Sequence, residues 1–227
     1  MEKKVLVGPS LLSSRWHLME HFKEDVESVE KEADYYHVDV MDGKFVPTPN
    51  ALNASHAQAI TDVSKKPVCV HLMTFNPSEL FNDFAKAGSD SITVHAEAYS
   101  NEQELLQDLD KLTSLKVKTG VSVKPNTPQT AISDNVLKKL DRVLVMTVEP
   151  GQGGQEFISK MLDKISELKK RIDSLNLKTL IQVDGGINPH TAKQCVERGV
   201  TLLIAGSSVF KSQDRLKTIR EIRGNSN

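Results

Sequence analysis

Short apolar runs recur along the chain, and amphipathic helical patterns lie between them. Each run is rich in Val, Ile and Leu and is shorter than a typical helix, so it predicts a β-strand. We predict eight strands, at residues 4–10, 34–41, 67–73, 90–95, 117–123, 141–148, 178–184 and 201–206. In the segments 79–88 and 161–172, apolar residues recur at helical spacing, which indicates helices that bury one face.

Strands that alternate with helices pair in parallel through right-handed crossovers. Eight such units close into a (β/α)8 barrel, and 227 residues is an ordinary length for that fold. An open doubly wound sheet is the alternative, but it usually has fewer strands. Its dinucleotide-binding form also needs a G-x-G-x-x-G motif after the first strand, which this sequence lacks. We therefore predict an α/β protein, a single (β/α)8 TIM barrel domain over residues 1–227, with a frayed tail at 223–227.

Four side chains of the types that bind metal ions lie near the C-terminal ends of three predicted strands. His37 and Asp39 are in the second strand, His71 is in the third and Asp184 is in the seventh. Because strand side chains alternate between faces, these residues share the barrel-facing side, opposite the Val, Leu and Ile positions. Several unpaired polar groups buried together would be costly, whereas one divalent cation would satisfy them. We predict one divalent metal ion per subunit, and this ligand set fits Zn, Fe, Mn or Co equally.

Three glycine-containing segments follow the last three predicted strands. They are EPGQGGQEF at 149–157, VDGGIN at 183–188 and LLIAGSSVF at 202–210. Glycine allows backbone N–H groups to approach an anion, and the loops after strands seven and eight form the recurrent phosphate site of barrels. The loop after strand six can add donors or act as a lid. These segments predict phosphate-binding loops after strands six, seven and eight.

Other residues near the strand ends allow two interpretations each. Met41, Met73 and Met146 can fill the core or form an apolar cap beside a substrate, and spacing alone does not decide between them. Ser10 can donate to a substrate oxygen or cap the first helix. His95 ends the fourth strand, where we favour a structural hydrogen bond over a fifth metal ligand.

Composition narrows the classes of partner. The chain has 29 basic and 30 acidic residues, so its net charge of -1 does not favour nucleic acid or an acidic membrane surface. Cys69 and Cys195 are too few for a disulfide framework, which favours a reducing compartment. No stretch approaches the ~20 apolar residues of a membrane span. We predict a cytoplasmic protein with a small-molecule substrate and with no nucleic-acid or membrane partner.

Seven motifs now identify a family. In order they are GPSLLSS (8–14), HVDVMDGKFVP (37–47), VHLM (70–73), AGSDSITVHAEA (87–98), VMTVEPGQGGQEF (145–157), VDGGIN (183–188) and AGSSVF (205–210). With them the chain resembles the ribulose-phosphate 3-epimerase family along essentially its whole length. The resemblance implies a metal-dependent epimerase of the pentose phosphate pathway that converts D-ribulose 5-phosphate into D-xylulose 5-phosphate. The family's reaction inverts C3 through a metal-stabilised enediolate, and its members usually assemble as homo-oligomers.

The resemblance also implies a role for each matching residue. Asp39 and Asp184 would be the paired acid and base, and with His37 and His71 they would be the metal ligands. The family's substrate contacts correspond in position to Ser10, Met41, His71, Met73, Met146, Gly151, Gln152, Gly153, Gly154, Gly185, Gly186, Gly206 and Ser207. The match favours the cap interpretation for the methionines.

Three departures from the family pattern lie at the predicted rim: the segment 47–58, Gln152 where the family commonly has an aromatic residue, and VKPNTP at 123–128. They leave open the same chemistry on a hexulose phosphate such as D-allulose 6-phosphate. A decarboxylase or aldolase on a related barrel would carry D-x-K-x-x-D at the third strand, which here reads VCVHLMTFNP. A binding protein without turnover would be expected to have lost an acid–base carboxylate, and Asp39 and Asp184 are both present.

Overall fold

Eight parallel strands alternate with helices around a nearly closed barrel in the computed structural model, which describes residues 4–48 and 52–224. The strands are β1 (Leu6–Pro9), β2 (Tyr36–Met41), β3 (Val68–Met73), β4 (Ser91–His95), β5 (Lys118–Val123), β6 (Arg142–Met146), β7 (Leu180–Asp184) and β8 (Leu202–Ala205). The α-helices are α1 (Met19–Val29), α2 (Ala54–Val63), α3 (Phe81–Lys86), α4 (Glu102–Ser114), α5 (Asp134–Leu137), α6 (Met161–Ser174), α7 (Pro189–Val196), α8 (Ser207–Phe210) and α9 (Arg215–Arg223). The predicted (β/α)8 TIM barrel is confirmed.

The strands pair in the order β1-β8-β7-β6-β5-β4-β3-β2. Strands β1 and β2 meet only through an isolated parallel bridge between Ser10 and His37, which closes the ring. This bridge brings the residue that follows β1 beside the first predicted metal ligand. Each predicted strand is present, and all eight are shorter than predicted because terminal residues lie outside the ladder. The predicted helix 79–88 is a 3-10 turn, Pro77–Glu79, followed by the short helix α3.

The apolar residues separate into two layers, as the strand alternation predicts. Val38, Val40, Val70 and Leu72 belong to the large cluster that the strands form with the surrounding helices. A smaller cluster fills the barrel interior and includes Tyr35, Cys69, Leu144, Met146, Val148, Leu202 and Ile204. The polar faces of β2, β3 and β7 therefore point into the barrel. The interior cluster of described residues beneath them, here called the floor of the barrel, is packed with side chains and leaves no channel.

The buried floor contains polar groups that are tied together. Tyr35 Oη donates to the carbonyl of Leu203 at 3.0 Å and accepts from Gln182 Nε2 at 3.2 Å. Arg142 Nη1 lies 3.0 Å from Cys69 Sγ. These contacts fix the lower half of the barrel, so the residues above it, at the C-terminal strand ends, have a rigid support.

The turn between β7 and α7 is held by a side-chain cap. Asn188 Oδ1 accepts from the backbone N–H groups of His190 at 2.9 Å and Thr191 at 3.1 Å. Thr191 Oγ1 in turn accepts from the N–H of Asn188 and donates to the carbonyl of Gly186. A cap of this kind contributes about 1 kcal/mol and fixes the glycine turn that precedes the helix.

The C-terminal end is anchored as far as Arg223. Arg223 Nη2 donates to Asp34 Oδ2 at 2.9 Å, and Arg223 Nη1 lies 3.1 Å from Glu32 Oε2. Of the predicted frayed tail 223–227, residues 225–227 lie outside the described part of the chain. Among the described residues, no helix is both long enough and apolar enough to cross a membrane.

Candidate active site

The four predicted metal ligands converge at the C-terminal ends of β2, β3 and β7. One ligand atom from each of His37, Asp39, His71 and Asp184 lies within 4.8 Å of the others. The β2–β3 register places Asp39 opposite His71. His37 Nε2 and His71 Nδ1 each lie 3.2 Å from Asp39 Oδ1 and 3.9 Å from Asp184 Oδ2. Three of the four side chains are buried, and that of Asp184 is 17% exposed, so the cluster opens to solvent on one side.

The cluster fits a divalent cation. Both ring nitrogens of His37 are buried. Nδ1 has no hydrogen-bond partner among the described residues, and Nε2 faces Asp39 Oδ1 at 3.2 Å without a well-aligned hydrogen bond. A buried polar atom without a partner costs about 1–3 kcal/mol, which a cation on Nε2 would offset. Two imidazole nitrogens and two carboxylates suit Zn²⁺, Fe²⁺, Mn²⁺ or Co²⁺. These residues can therefore hold one metal ion, as predicted, and the ligand set does not distinguish between the four metals.

The two carboxylates have pKa values shifted in opposite directions. Burial would raise the pKa of Asp39, but attraction to His37 and a hydrogen bond with His71 outweigh it, so this pKa is lowered. Burial and repulsion by Asp39 both raise the pKa of Asp184. For His71 burial has the opposite effect on the pKa, because the charged form of histidine is the protonated one. It lowers the pKa of His71 to about 4, so this imidazole is neutral at pH 7. One carboxylate is therefore ionised while its neighbour holds a proton more readily, the pattern of a paired acid and base.

Ser10 supports Asp39 and does not cap the first helical turn. Its Oγ donates to Asp39 Oδ2 at 2.7 Å in a buried hydrogen bond, and it makes no cap hydrogen bond to the 3-10 turn Leu11–Ser13. The β1–β2 bridge at Ser10 and His37 sets this geometry. A hydroxyl that donates to a carboxylate stabilises the ionised form.

The three methionines are the last residues of β2, β3 and β6. Met41 and Met73 are opposite each other at the ends of β2 and β3, and they pack with Phe45 and Val46 in a small apolar group separate from the main core. Met146 lies at the end of β6, in the barrel interior. All three line the same cavity as the carboxylates, which places them where the cap interpretation requires.

One cavity brings together most of the predicted site. The predicted residues that line it are Ser10, Asp39, Met41, Met73, Met146, Gly151, Gln152, Gly153, Gly154, Asp184, Gly185, Gly186, Gly206 and Ser207. His37 and His71 are not among the residues that line it, and their side chains are 1% and 0% exposed. The contact between His71 and a substrate stays a prediction.

The turn after β7 requires its two glycines. Gly185 and Gly186 have φ of +115° and +65°, which side-chain-bearing residues rarely adopt. A Cβ atom at Gly185 would lie 2.3 Å from Val148 Cγ2, and one at Gly186 would lie 2.6 Å from the backbone nitrogen of Phe157. The loops after β6 and β7 therefore pack too closely for any larger residue, and backbone groups form this wall of the cavity.

The structure adds Ser13, which the sequence analysis did not single out. Its Oγ lies 2.7 Å from the position that a Cβ would take at Gly206, and 3.5 Å from that position at Gly153. Ser13 lines the cavity together with Ser10. Residues three apart share one face of a 3-10 turn, so the S-x-x-S spacing was the available signal.

The structural hydrogen bond predicted for His95 is present. His95 is fully buried, its Nε2 lies 2.9 Å from His71 Nε2, and its Nδ1 lies 3.0 Å from Glu97 Oε2. Burial opposes ionisation of Glu97, but the hydrogen bond from His95 outweighs it and lowers the pKa of Glu97 to about 2. His95 is not among the residues that converge as ligands.

The departures from the family pattern lie around the rim. Of the segment 47–58, residues 49–51 lie outside the described part of the chain. Gln152 is exposed and lines the cavity. The segment 123–128 is held by a lysine of α6, because three of its carbonyls accept from Lys164 Nζ at 2.6–2.9 Å.

Solved structures share the fold at low identity. A 3-hexulose-6-phosphate synthase aligns over 99% of this chain and 100% of its own, with a TM-score of 0.68 and 15% identity. A structure of KGPDC from Streptococcus mutans covers 99% of this chain and 98% of its own, with a TM-score of 0.69 and 13% identity. At these identities the likeness supports the barrel alone.

Sequence comparisons are more specific. The model of the ribulose-phosphate 3 epimerase family matches residues 6–210. A ribulose-phosphate 3-epimerase of Bacillus subtilis is 42% identical over 221 residues, covering 97% of this chain and 99% of that protein. A chloroplastic ribulose-5-phosphate-3-epimerase of Arabidopsis thaliana is 40% identical over 96% of this chain and 76% of its own. The chain therefore belongs to the ribulose-phosphate 3-epimerase family of enzymes.

Proposed function

We propose that this epimerase interconverts D-ribulose 5-phosphate and D-xylulose 5-phosphate by moving the C3 proton between Asp39 and Asp184. The observation that carries the proposal is the pair itself: two carboxylates that line one cavity and have pKa values shifted in opposite directions. Inversion of a carbon centre needs one group to remove a proton from one face and another to deliver a proton to the opposite face. Two carboxylates in one cavity can do this without turning the substrate over.

The two carboxylates would exchange the roles of base and acid between the two directions of the reaction. In one direction Asp39 would remove the C3 proton from one face and Asp184 would deliver a proton to the opposite face. The reverse reaction starts from the opposite arrangement of the two protons. Ser10 holds one oxygen of Asp39 and leaves Oδ1 directed toward the histidines.

We assign the metal site to the same cluster. His37, His71, Asp39 and Asp184 would hold one divalent cation, which when bound stabilises the negative charge that develops on the substrate as the C3 proton leaves. The buried Nε2 of His37, which faces the cluster without a well-aligned hydrogen bond, supports this assignment. The low pKa of His71 supports it as well, because only a neutral imidazole binds a metal ion.

The glycine loops would bind the phosphate. The residues that line the cavity from the loops after β6, β7 and β8 are Gly151 to Gly154, Gly185, Gly186, Gly206 and Ser207, and their backbone N–H groups would be the donors. A phosphate held there would fix the distance to C3 and so place that carbon between the carboxylates. The methionines would cover the reacting carbons with apolar, polarisable surface and exclude water. The homo-oligomer and the cytosolic location remain predictions.

The substrate assignment is tested by assaying purified, metal-loaded protein on D-ribulose 5-phosphate and on D-allulose 6-phosphate. We expect kcat/KM to be at least ~100-fold higher for the pentose, a difference of about 2.7 kcal/mol in transition-state stabilisation. A preference for the hexose would keep the proton-transfer chemistry and overturn the substrate, and the segment 47–58 and Gln152 would then be the first places to seek the cause.

A further inference from the structure

A line of hydrogen-bonded side chains leads away from the candidate metal cluster into the barrel wall. His71 Nδ1 faces the cluster, 3.2 Å from Asp39 Oδ1, and its other ring nitrogen lies 2.9 Å from His95 Nε2. The second nitrogen of His95 lies 3.0 Å from Glu97 Oε2. Glu97 Oε1 accepts from the backbone N–H of Lys124 at 2.7 Å. Both histidine side chains are fully buried, and their rings stack with centroids 4.9 Å apart.

Metal binding at His71 Nδ1 would determine which atom donates and which accepts at each hydrogen bond from His71 to Glu97. A cation can bind His71 only at an unprotonated Nδ1, so the ring proton must be on Nε2. The facing nitrogen of His95 must then accept, which puts the proton of His95 on Nδ1, where it donates to Glu97. An ionised Glu97 accepts at both oxygens, once from His95 and once from Lys124. Each group thus has the one protonation form that leaves His71 Nδ1 free for the cation.

We propose that His95 and Glu97 are positioning residues for the metal site: Glu97 selects the tautomer of His95, and His95 selects the tautomer and ring orientation of His71 that present Nδ1 to the cation. The inference rests on the proposed metal dependence. It is specific to one of the two imidazoles, because His37 Nδ1 makes no hydrogen bond with any described residue. Partners of this type commonly change metal affinity by 10–100-fold.

The local sequence explains how the line is built. In the β3–β4 register His71 pairs with Thr93, so His95 is the next inward position on the neighbouring strand. The 3-10 turn Ala96–Ala98 follows at once and brings Glu97 back toward His95. The motif H-x-E at 95–97, with this register and this turn, places both groups behind His71.

Packing is the competing explanation for His95, because its ring also contacts Phe45, with centroids 4.8 Å apart. Glu97→Gln separates the two explanations, since it keeps the shape of the side chain. If the oxygen of the new amide accepts from the Lys124 N–H, the amide N–H₂ group donates to His95 Nδ1. The proton of His95 is then on Nε2, where it donates to His71 Nε2, and the proton of His71 is left on Nδ1. If the amide is turned the other way, two N–H groups face each other at Lys124. Either arrangement makes an unprotonated His71 Nδ1, correctly oriented for the cation, less favourable.

The test is a Co²⁺ titration of the metal-free protein, followed by visible absorption. We expect Glu97→Gln to raise the Kd for Co²⁺ by about 10- to 100-fold. Glu104→Gln, which removes the same charge at an exposed helix position, should leave the Kd unchanged. His95→Gln, whose amide oxygen can accept from His71, should retain more affinity than His95→Leu.

The outcomes are distinguishable. Equal Co²⁺ affinity and an identical spectrum in Glu97→Gln and wild type would overturn the positioning role and leave the metal site standing. Failure of the wild type to bind Co²⁺ would instead overturn the proposed metal dependence. Nitrogen-15 NMR of the Zn²⁺-loaded wild type needs no variant: we expect His95 to be protonated at Nδ1, and a proton on its Nε2 would contradict the inference.

Discussion

At the scale of single residues, the site depends on two neighbouring carboxyl groups, Asp39 and Asp184, whose surroundings favour ionisation of the first and oppose ionisation of the second. Asp39 accepts from Ser10 and lies beside two imidazoles, whereas Asp184 gains no comparable donor and lies close to the charge of Asp39. Similar carboxyl groups thereby acquire different proton affinities from their surroundings alone. Small changes around Asp39 should therefore affect catalysis more than they affect the fold.

Ser10→Ala should lower kcat/KM by about 10-fold, equivalent to about 1.4 kcal/mol, because Asp39 loses the charge-assisted hydrogen bond that orients and stabilises it. Ser14→Ala is the matched control, since the hydroxyl of Ser14 donates to the carbonyl of Leu11 at 2.6 Å and lies outside the cavity lining. Steady-state kinetics of both variants make the comparison. Equal kcat/KM values in the two variants would show that the Ser10 contact has no role in turnover.

Gly185→Ala should destabilise the protein by roughly 1–3 kcal/mol, because φ of +115° is strained for alanine and the new Cβ would overlap Val148. Gly153→Ala is the control for stability, because its Cβ would meet only Ser13 Oγ, at 3.5 Å. Urea unfolding of both variants measures the difference. A stable Gly185→Ala protein would mean that the turn after β7 adapts more freely than its close packing indicates.

At the scale of elements, the chain ends of the barrel are joined by one buried carboxylate. Asp25 in α1 is 0% exposed and pairs with Arg15 Nη2 at 2.9 Å and with Arg215 Nη1, from α9, at 2.8 Å. Burial opposes ionisation, but the hydrogen bonds from Arg15 and Arg215 outweigh it and lower the pKa of Asp25. The pairing fastens the last helix to the first, next to the seam between β1 and β2.

Asp25→Asn should reduce the free energy of unfolding by about 2 kcal/mol at pH 7, because two guanidinium groups lose a buried partner while both remain partly solvated. Asp110→Asn, in an exposed pair with Lys139, should change it by less than about 1 kcal/mol.

The effect of Asp25 should also depend on pH. Its pKa is lower in the folded than in the unfolded protein, so its contribution is complete above the unfolded value of about 3.9 and is lost as pH falls through the folded value. The stability difference between wild type and Asp25→Asn should therefore be constant from pH 7 to pH 5 and shrink below about pH 4. A difference that grows on acidification, in urea titrations across this range, would contradict the assignment.

The sequence predicted the elements that depend on local pattern and missed those that depend on distant contacts. Eight strands and the inward parity of His37, Asp39 and His71 follow from alternation alone, because a one-residue shift would bury the wrong face. The end of β6 did not follow, since Thr147 donates its hydroxyl to carbonyls that lie 37 and 38 residues further along the chain. The S-x-x-S spacing could place Ser13 beside Ser10, but its position opposite the glycine loops depends on barrel closure.

At the scale of the whole molecule, the candidate metal site joins strands that are distant along the chain. Its ligands come from β2, β3 and β7, and β7 is paired with neither β2 nor β3 in the sheet. A cation that binds the folded barrel and not the unfolded chain must stabilise the folded state. Metal binding should therefore be visible in the global unfolding of the protein as well as in its activity.

Adding Co²⁺ or Zn²⁺ to the metal-free protein should raise its Tm by about 5–10 °C when the metal is present at 100 times its Kd, since that excess contributes about 2.7 kcal/mol. Mg²⁺, which prefers oxygen ligands, should raise it much less. Replacing an imidazole, as in His37→Ala, should remove most of the Co²⁺ effect. A Tm that does not change with Co²⁺ in the wild type would contradict the assignment of the cluster.

The measurement that tests the two-carboxylate account most directly is C3 hydrogen exchange in D₂O by Asp39→Asn and Asp184→Asn, each checked for bound metal. Each variant keeps one carboxylate, so it should lose epimerisation by about 10²- to 10⁴-fold and still exchange the C3 hydrogen of one epimer only. The two variants should act on opposite epimers. Interconversion of D-ribulose 5-phosphate and D-xylulose 5-phosphate at near wild-type rates by either variant, or exchange of the same epimer by both, would contradict proton transfer from opposite faces by Asp39 and Asp184.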